Sequence, residues 1–122
     1  MAVEGSLRFE PPVLFLCRTA TTDTEGGGCP IAKGERVITG IASANRDETV
    51  YDHADEYRLD RDTLPEHLAF GVGPHICLGD HLTRVEGRVV LEEMLEVFGP
   101  GVLKLAPGYE RRLVPMFLEY GP

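Results

Sequence analysis

The stretch Phe70-Gly71-Val72-Gly73-Pro74-His75-Ile76-Cys77-Leu78-Gly79 decides how this chain is read. Two glycines precede the cysteine and one follows it, immediately ahead of a segment with helical periodicity. Gly71 and Gly73 admit backbone conformations with positive φ and let the chain approach a flat ligand with no Cβ in the way, and Gly79 does the same just past the cysteine. At the start of a helix, free backbone N–H groups and the positive dipole end favour an anion, so the Cys77 sulfur is poised as a thiolate. A lone cysteine before a helix is ordinarily a small buried hydrophobe. Here the aromatic, the glycines, His75 and the following helix in register change that reading.

Downstream, residues 78–98 are strongly helical, because Leu78, Leu82, Val85 and Val89 keep 3.6-residue spacing and Arg84 and Arg88 lie one turn apart. The apolar face of the second half moves to Val90, Leu91, Met94, Val97 and Phe98, which predicts later turns buried against a different surface from the early ones. Gly99-Pro100-Gly101 stops the helix. Val102-Leu103-Lys104-Leu105 and the stretch from Leu113 to Leu118 fit two more short strands.

Upstream, residues 1–9 read as the last turns of a helix ended by Pro11-Pro12, since proline disfavours helical geometry in the residue before it. A helix this short is marginal alone. Val13 to Thr22 and Arg36 to Ala42 are rich in β-branched and apolar residues, with Gly26-Gly27-Gly28 and Lys33-Gly34 between them, predicting short strands in a hairpin-like arrangement. Residues 45–66 are polar, with Asp52, Asp55, Asp60 and Asp62 spread through them, and read as an irregular solvated meander. There is no internal repeat or low-complexity tract, so residues 1–122 are taken as a single unit of mixed α and β structure.

The 122 residues, 43% hydrophobic, are enough for one domain with a modest core. A net charge of −8 and a pI near 4.9 argue against a nucleic-acid partner. Three cysteines, Cys17, Cys29 and Cys77, without an apolar leader give no disulfide framework, so reduced thiols and a cytoplasmic protein are expected. The densest early apolar run, Val13 to Cys17, is far short of the roughly 20 residues that span a bilayer, and no membrane partner is expected.

The segment Phe70 to Gly79 resembles the signature of the cytochrome P-450 family: an aromatic, spaced glycines, then Cys-x-Gly. His67-Leu68-Ala69-Phe70, Cys77-Leu78-Gly79 and, upstream, Ala44-Asn45-Arg46-Asp47 are similar to its soluble bacterial branch. The likeness covers nearly the whole chain but only the C-terminal part of such an enzyme. It implies a portion of a mostly-α fold holding short strands, the meander, the cysteine loop, the long helix and C-terminal strands. It also implies a haem-thiolate monooxygenase that binds haem b (iron protoporphyrin IX), takes a small organic substrate when complete, and receives electrons from a ferredoxin-like donor.

Carried over residue by residue, the resemblance makes Cys77 the proximal iron ligand and Phe70 the aromatic that shields its thiolate. Gly71, Gly73 and Gly79 form the glycine-lined bend, and His75 and Arg18 match residues that bind haem propionates, for which a cation or N–H donor suits a carboxylate. Arg18 also reads as an exposed strand residue, and His75 as a loop-surface residue. Arg8 matches the arginine of the family's helical Glu-x-x-Arg pair, but the glutamate's place is Gly5 and Glu4 is one position off. Arg58 and Arg61 are both candidates for its meander partner. A buried Arg8 without a carboxylate would be an uncompensated charge.

Other readings stand beside these. His75, Cys77 and His81, with His67 near, could be taken as zinc ligands, but no Cys-x-x-Cys pair is present and the helix turns His81 away. Cys17 and Cys29 read as structural, since nothing near them supplies a base or a second ligand. Arg84 and Arg88 read as a solvated helix face, and the resemblance implies for one of them a role in docking an acidic electron-transfer protein. The distal helix whose acid and threonine deliver protons in the family is not encoded here. The rival to the enzyme reading is therefore a truncated, non-catalytic remnant or interaction module that binds haem weakly or not at all. Family cores use helices absent from this sequence, so exposed apolar surface is expected.

Overall fold

Pro11-Pro12 does end the first helix, and in the computed structural model, which describes residues 1–61 and 67–110, α1 runs over Ala2–Phe9. The remaining elements are β1 (Phe15–Thr19), β2 (Thr24–Gly26), β3 (Cys29–Ile31), β4 (Arg36–Gly40), a one-turn α2 (Ile41–Ala44), two 3₁₀ turns (Leu68–Phe70 and Gly73–His75), and α3 (Asp80–Phe98). The chain divides into two compact units, Met1–Gly71 and a second that begins at Val72.

The strands are not one simple hairpin. β1 pairs antiparallel with β4, Phe15 opposite Gly40 and Thr19 opposite Arg36. Between them β2 and β3 form a separate hairpin whose turn, Gly27-Gly28, holds φ of 57° and 82°. Those are values at which glycine avoids the Cβ clash of other residues. The strand expected to reach Ala42 stops at Gly40, and Ile41 instead turns into α2 with its side chain buried. Cys17 and Cys29 lie on strands as exposed free thiols.

The core of the first unit is small and mixed. Leu7, Ile41, Tyr51 and Ala54 are its buried apolar side chains, and Arg8, Asn45 and His67 are buried polar ones. α1 docks on the turns of residues 47–57. Tyr57 meets Phe9 edge to face at 5.9 Å, and its hydroxyl reaches Ser6 Oγ at 3.1 Å. Arg46 closes the C-terminal end of α1, stacking over the Phe9 ring at 4.0 Å and donating to Phe9 O at 2.8 Å and Glu10 Oε1 at 2.7 Å. A cation at this end satisfies free carbonyls and complements the helix dipole.

In the second unit α3 starts two residues later than its periodicity suggests, because Leu78-Gly79 forms a turn and Gly79 is the N-cap. Asp80 and Arg84 pair at 3.0 Å one turn apart, and Thr83 Oγ1 donates to Gly79 O at 2.9 Å. The expected burial of the later turns is not found: no α3 residue is buried, and Val90, Leu95 and Val97 are 54%, 58% and 70% exposed. The periodicity marks a face that is apolar without specifying a surface to cover it. Val102 to Leu105 is not a strand but exposed irregular chain, with no paired partner strand among the described residues. The second predicted C-terminal strand, residues 113–118, lies outside the described residues. No described helix is long and apolar enough to cross a membrane.

Candidate functional site

The cysteine loop has the backbone that its glycines suggest. Gly71 and Gly73 hold φ of 71° and 79°, so a side chain at either would be strained. A Cβ added at Gly73 would meet nothing within 4 Å, while one at Gly79 would lie 3.8 Å from Cys77 Sγ. The Gly73–His75 turn carries His75, which is exposed, as is the Cys77 thiol. Cys77 does not lie in the first helical turn. It stands three residues before Asp80, whose N–H donates to Cys77 O at 3.3 Å. An exposed thiol on a loop in which Gly71, Gly73 and Gly79 carry no side chain is chemically compatible with a flat macrocycle holding a ligand-accepting metal at its centre. The donor set therefore fits a haem.

The aromatic at the head of the motif belongs to the first unit, where the turn Leu68–Phe70 is held from two directions. His67 caps it: its Nδ1 accepts from Ala69 N at 3.3 Å, while its Nε2 lies 3.1 Å from Glu4 Oε2 on α1. Asn45, fully buried after α2, accepts the Leu68 N–H on Oδ1 at 2.7 Å. Two of the turn's otherwise free backbone donors are thus satisfied by side chains more than 20 residues away in one case and next door in the other. Phe70 is half-buried with its ring 5.9 Å from that of His67. Sequence reasoning used Asn45 as part of a family likeness, weighed His67 there and beside a possible zinc cluster, and noted Glu4 only as one position from the family's glutamate, without linking it to His67. A buried-type histidine directly before the motif was the one available signal.

Arg8 is 1% exposed and forms no ion pair among the described residues. Its guanidinium instead donates to three carbonyls: Asn45 O at 2.9 Å, Ala54 O at 2.8 Å and Glu56 O at 2.9 Å. It also lies over the Tyr51 ring at 5.2 Å. Desolvation, and then repulsion from Arg61, pull the Arg8 pKa below the usual guanidinium value. Arg58 and Arg61 have different partners. Arg61 shares the Glu56 carbonyl at 3.2 Å and also donates to His53 O at 2.7 Å and to Asp52 O, whereas Arg58 pairs with Asp60 at 3.0 Å. Both arginines cap loop carbonyls, and the Nε of each is buried without a hydrogen-bond partner among the described residues.

Arg18 lies on β1 in the first unit, exposed, donating to the adjacent Cys17 O at 2.9 Å. On α3, Arg84 pairs with Asp80, and Arg88 stands 4.0 Å from Glu92. Among the described residues no group of three or more His, Cys, Asp or Glu side chains could hold a metal ion.

Comparison with known proteins agrees with the motif. The family profile described as Cytochrome P450 matches residues 1–106. Cytochrome P450 109 of Bacillus spizizenii is 46% identical over 95 residues, which is 78% of this chain and 23% of that protein. The steroid C26-monooxygenase of Mycolicibacterium smegmatis is 43% identical over 94 residues, 77% of this chain and 23% of that protein. Substrate-free CYP109E1 from Bacillus megaterium superposes with a TM-score of 0.85 at 30% identity, covering 98% of this chain and 30% of that one. The chain thus spans about a quarter of the length of the curated relatives it matches.

Proposed function

We propose that this chain, which belongs to the cytochrome P450 family, is the haem-ligating C-terminal portion of a bacterial-type monooxygenase in which Cys77 supplies the thiolate to the iron. The observation that carries the reading is the exposed Cys77 thiol in a bend where Gly73 and Gly79 add no side chain, within a segment matched by the family profile. When bound, haem b supplies oxygen activation, with electron density from the thiolate favouring O–O cleavage.

The chain's own residues have simpler tasks. Gly71, Gly73 and Gly79 keep side chains away from the macrocycle, and Phe70 screens the sulfur from water. His75 and Arg18 donate to the propionates. In the complete enzyme the substrate is a small organic molecule and the electron donor is ferredoxin-like, with Arg84 or Arg88 as a docking contact. A cytoplasmic location is part of this reading, and the chain's likeness to bacterial relatives supports it.

The alternative reading is that the chain is a non-catalytic segment or interaction module that binds haem weakly or not at all. Absorption spectroscopy separates the two. Purified protein reconstituted with haem, reduced under carbon monoxide, should show a thiolate-type Soret shift that Cys77→Ala abolishes. An unshifted spectrum in the wild-type chain favours the alternative.

A further inference from the structure

Glu4 stands outside every role discussed so far. It lies on the first turn of α1, one position from where the family pattern expects an acid, yet it is tied to a buried histidine 63 residues later. The direction of each hydrogen bond in that connection follows from chemistry. Ala69 N–H is a donor, so the His67 Nδ1 it reaches carries no proton. The ring's proton is then on Nε2, which donates to Glu4 Oε2. The His67 side chain is 2% exposed and Glu4 is 32% exposed, so the contact is shut off from water at the imidazole end and open at the carboxylate end. A carboxylate on Nε2 favours the tautomer in which Nδ1 is an acceptor, and that acceptor caps the turn that carries Phe70.

From this geometry we infer that Glu4 is a positioning residue: through His67 it fixes the Leu68–Phe70 turn, and hence the aromatic that opens the cysteine loop. The functional consequence rests on the haem reading given above; the positioning itself does not. Without the carboxylate, the imidazole is free to place its proton on Nδ1. Ala69 N–H then loses its acceptor, while Leu68 N–H keeps its bond to Asn45 Oδ1.

The test uses the full chain in two forms. In haem-free protein, ¹⁵N NMR of the imidazole should show the Nε2–H tautomer for His67. Glu4→Ala should give a mixture of tautomers and speed Ala69 amide exchange by about tenfold, the effect of losing one buried hydrogen bond. Glu4→Gln should behave as the wild type, because its amide oxygen still accepts from Nε2–H. In haem-reconstituted protein, Glu4→Ala should lower the fraction of reduced carbon monoxide complex with the thiolate-type Soret band, and Glu4→Gln should restore it.

An unchanged His67 tautomer and Ala69 exchange rate in Glu4→Ala would overturn the inference, as would a Glu4→Gln variant indistinguishable from Glu4→Ala. A haem complex indifferent to Glu4→Ala while the haem-free signals move would overturn the functional consequence, since the turn would then be positioned to no effect. If the wild-type chain takes up no haem, the functional reading fails, and the haem-free measurements decide this inference alone.

Discussion

The two longest helices are stabilised in opposite ways. α1 has eight residues and buries Gly5, Leu7 and Arg8, while α3 has nineteen and buries none. A helix as short as α1 does not persist in water by itself, so its existence depends on what it touches. Those contacts come from residues 45–57, with three carbonyls on Arg8, the Arg46 guanidinium on its last turn and the ring of Tyr57, and from His67, which reaches Glu4. α3 is long enough to be supported by its own ladder and by pairs such as Asp80 with Arg84. The lesson is that apolar periodicity indicates where a helix forms, whereas burial has to be established by partners distant in sequence.

The sharpest way to break this contrast is to remove Arg8. Arg8→Ala leaves the carbonyls of Asn45 and Ala54 buried without the guanidinium donor, while Glu56 O keeps its bond from Arg61, and the expected loss is about 3 kcal/mol. Hydrogen exchange should show amides of residues 45–56 losing protection while those of 80–98 change little. Equal loss in both segments would mean that α3 depends on the same network.

A smaller and opposite effect is expected at Gly5. A Cβ there would lie 3.6 Å from Tyr57 Cε2 and 3.8 Å from Arg58 O, both ordinary contacts. Gly5→Ala should therefore raise the urea midpoint, by roughly 0.5–1 kcal/mol in stability, through backbone entropy alone. A fall instead would show that α1 is seated more tightly than these distances imply.

Least of all should come from α3. Arg84→Ala removes a partly exposed pair and is expected to cost about 0.3–0.5 kcal/mol in thermal melts followed by circular dichroism, shrinking as salt is raised. A salt-independent loss well above that would assign Arg84 a role beyond helix support.

Much of the candidate site was legible because it is local. Gly71 and Gly73 adopt the positive φ their spacing implied, and Gly99 ends α3 as expected. The helix 78–98 was misplaced only by the two residues of its turn. What could not be read is non-local. Nothing in the sequence says that Arg8 satisfies itself on backbone carbonyls, since every residue offers one and none is marked. The pairing of β1 with β4 around an inserted hairpin likewise depends on which strand edges meet, and strands of three to five residues carry too little pattern to choose. Val102 to Leu105 shows the converse: four suitable residues remain irregular without a partner to pair with.

The Gly27-Gly28 turn has a practical consequence. A Cβ at either glycine would meet nothing within 4 Å, and the residues on both sides are exposed. Chain inserted at that tip displaces no packed atom and adds only about 0.6 kcal/mol of closure entropy per doubling of loop length. The hairpin is thus a natural point of attachment for an epitope or fluorescent reporter, well away in sequence from the thiol on which the chemistry depends.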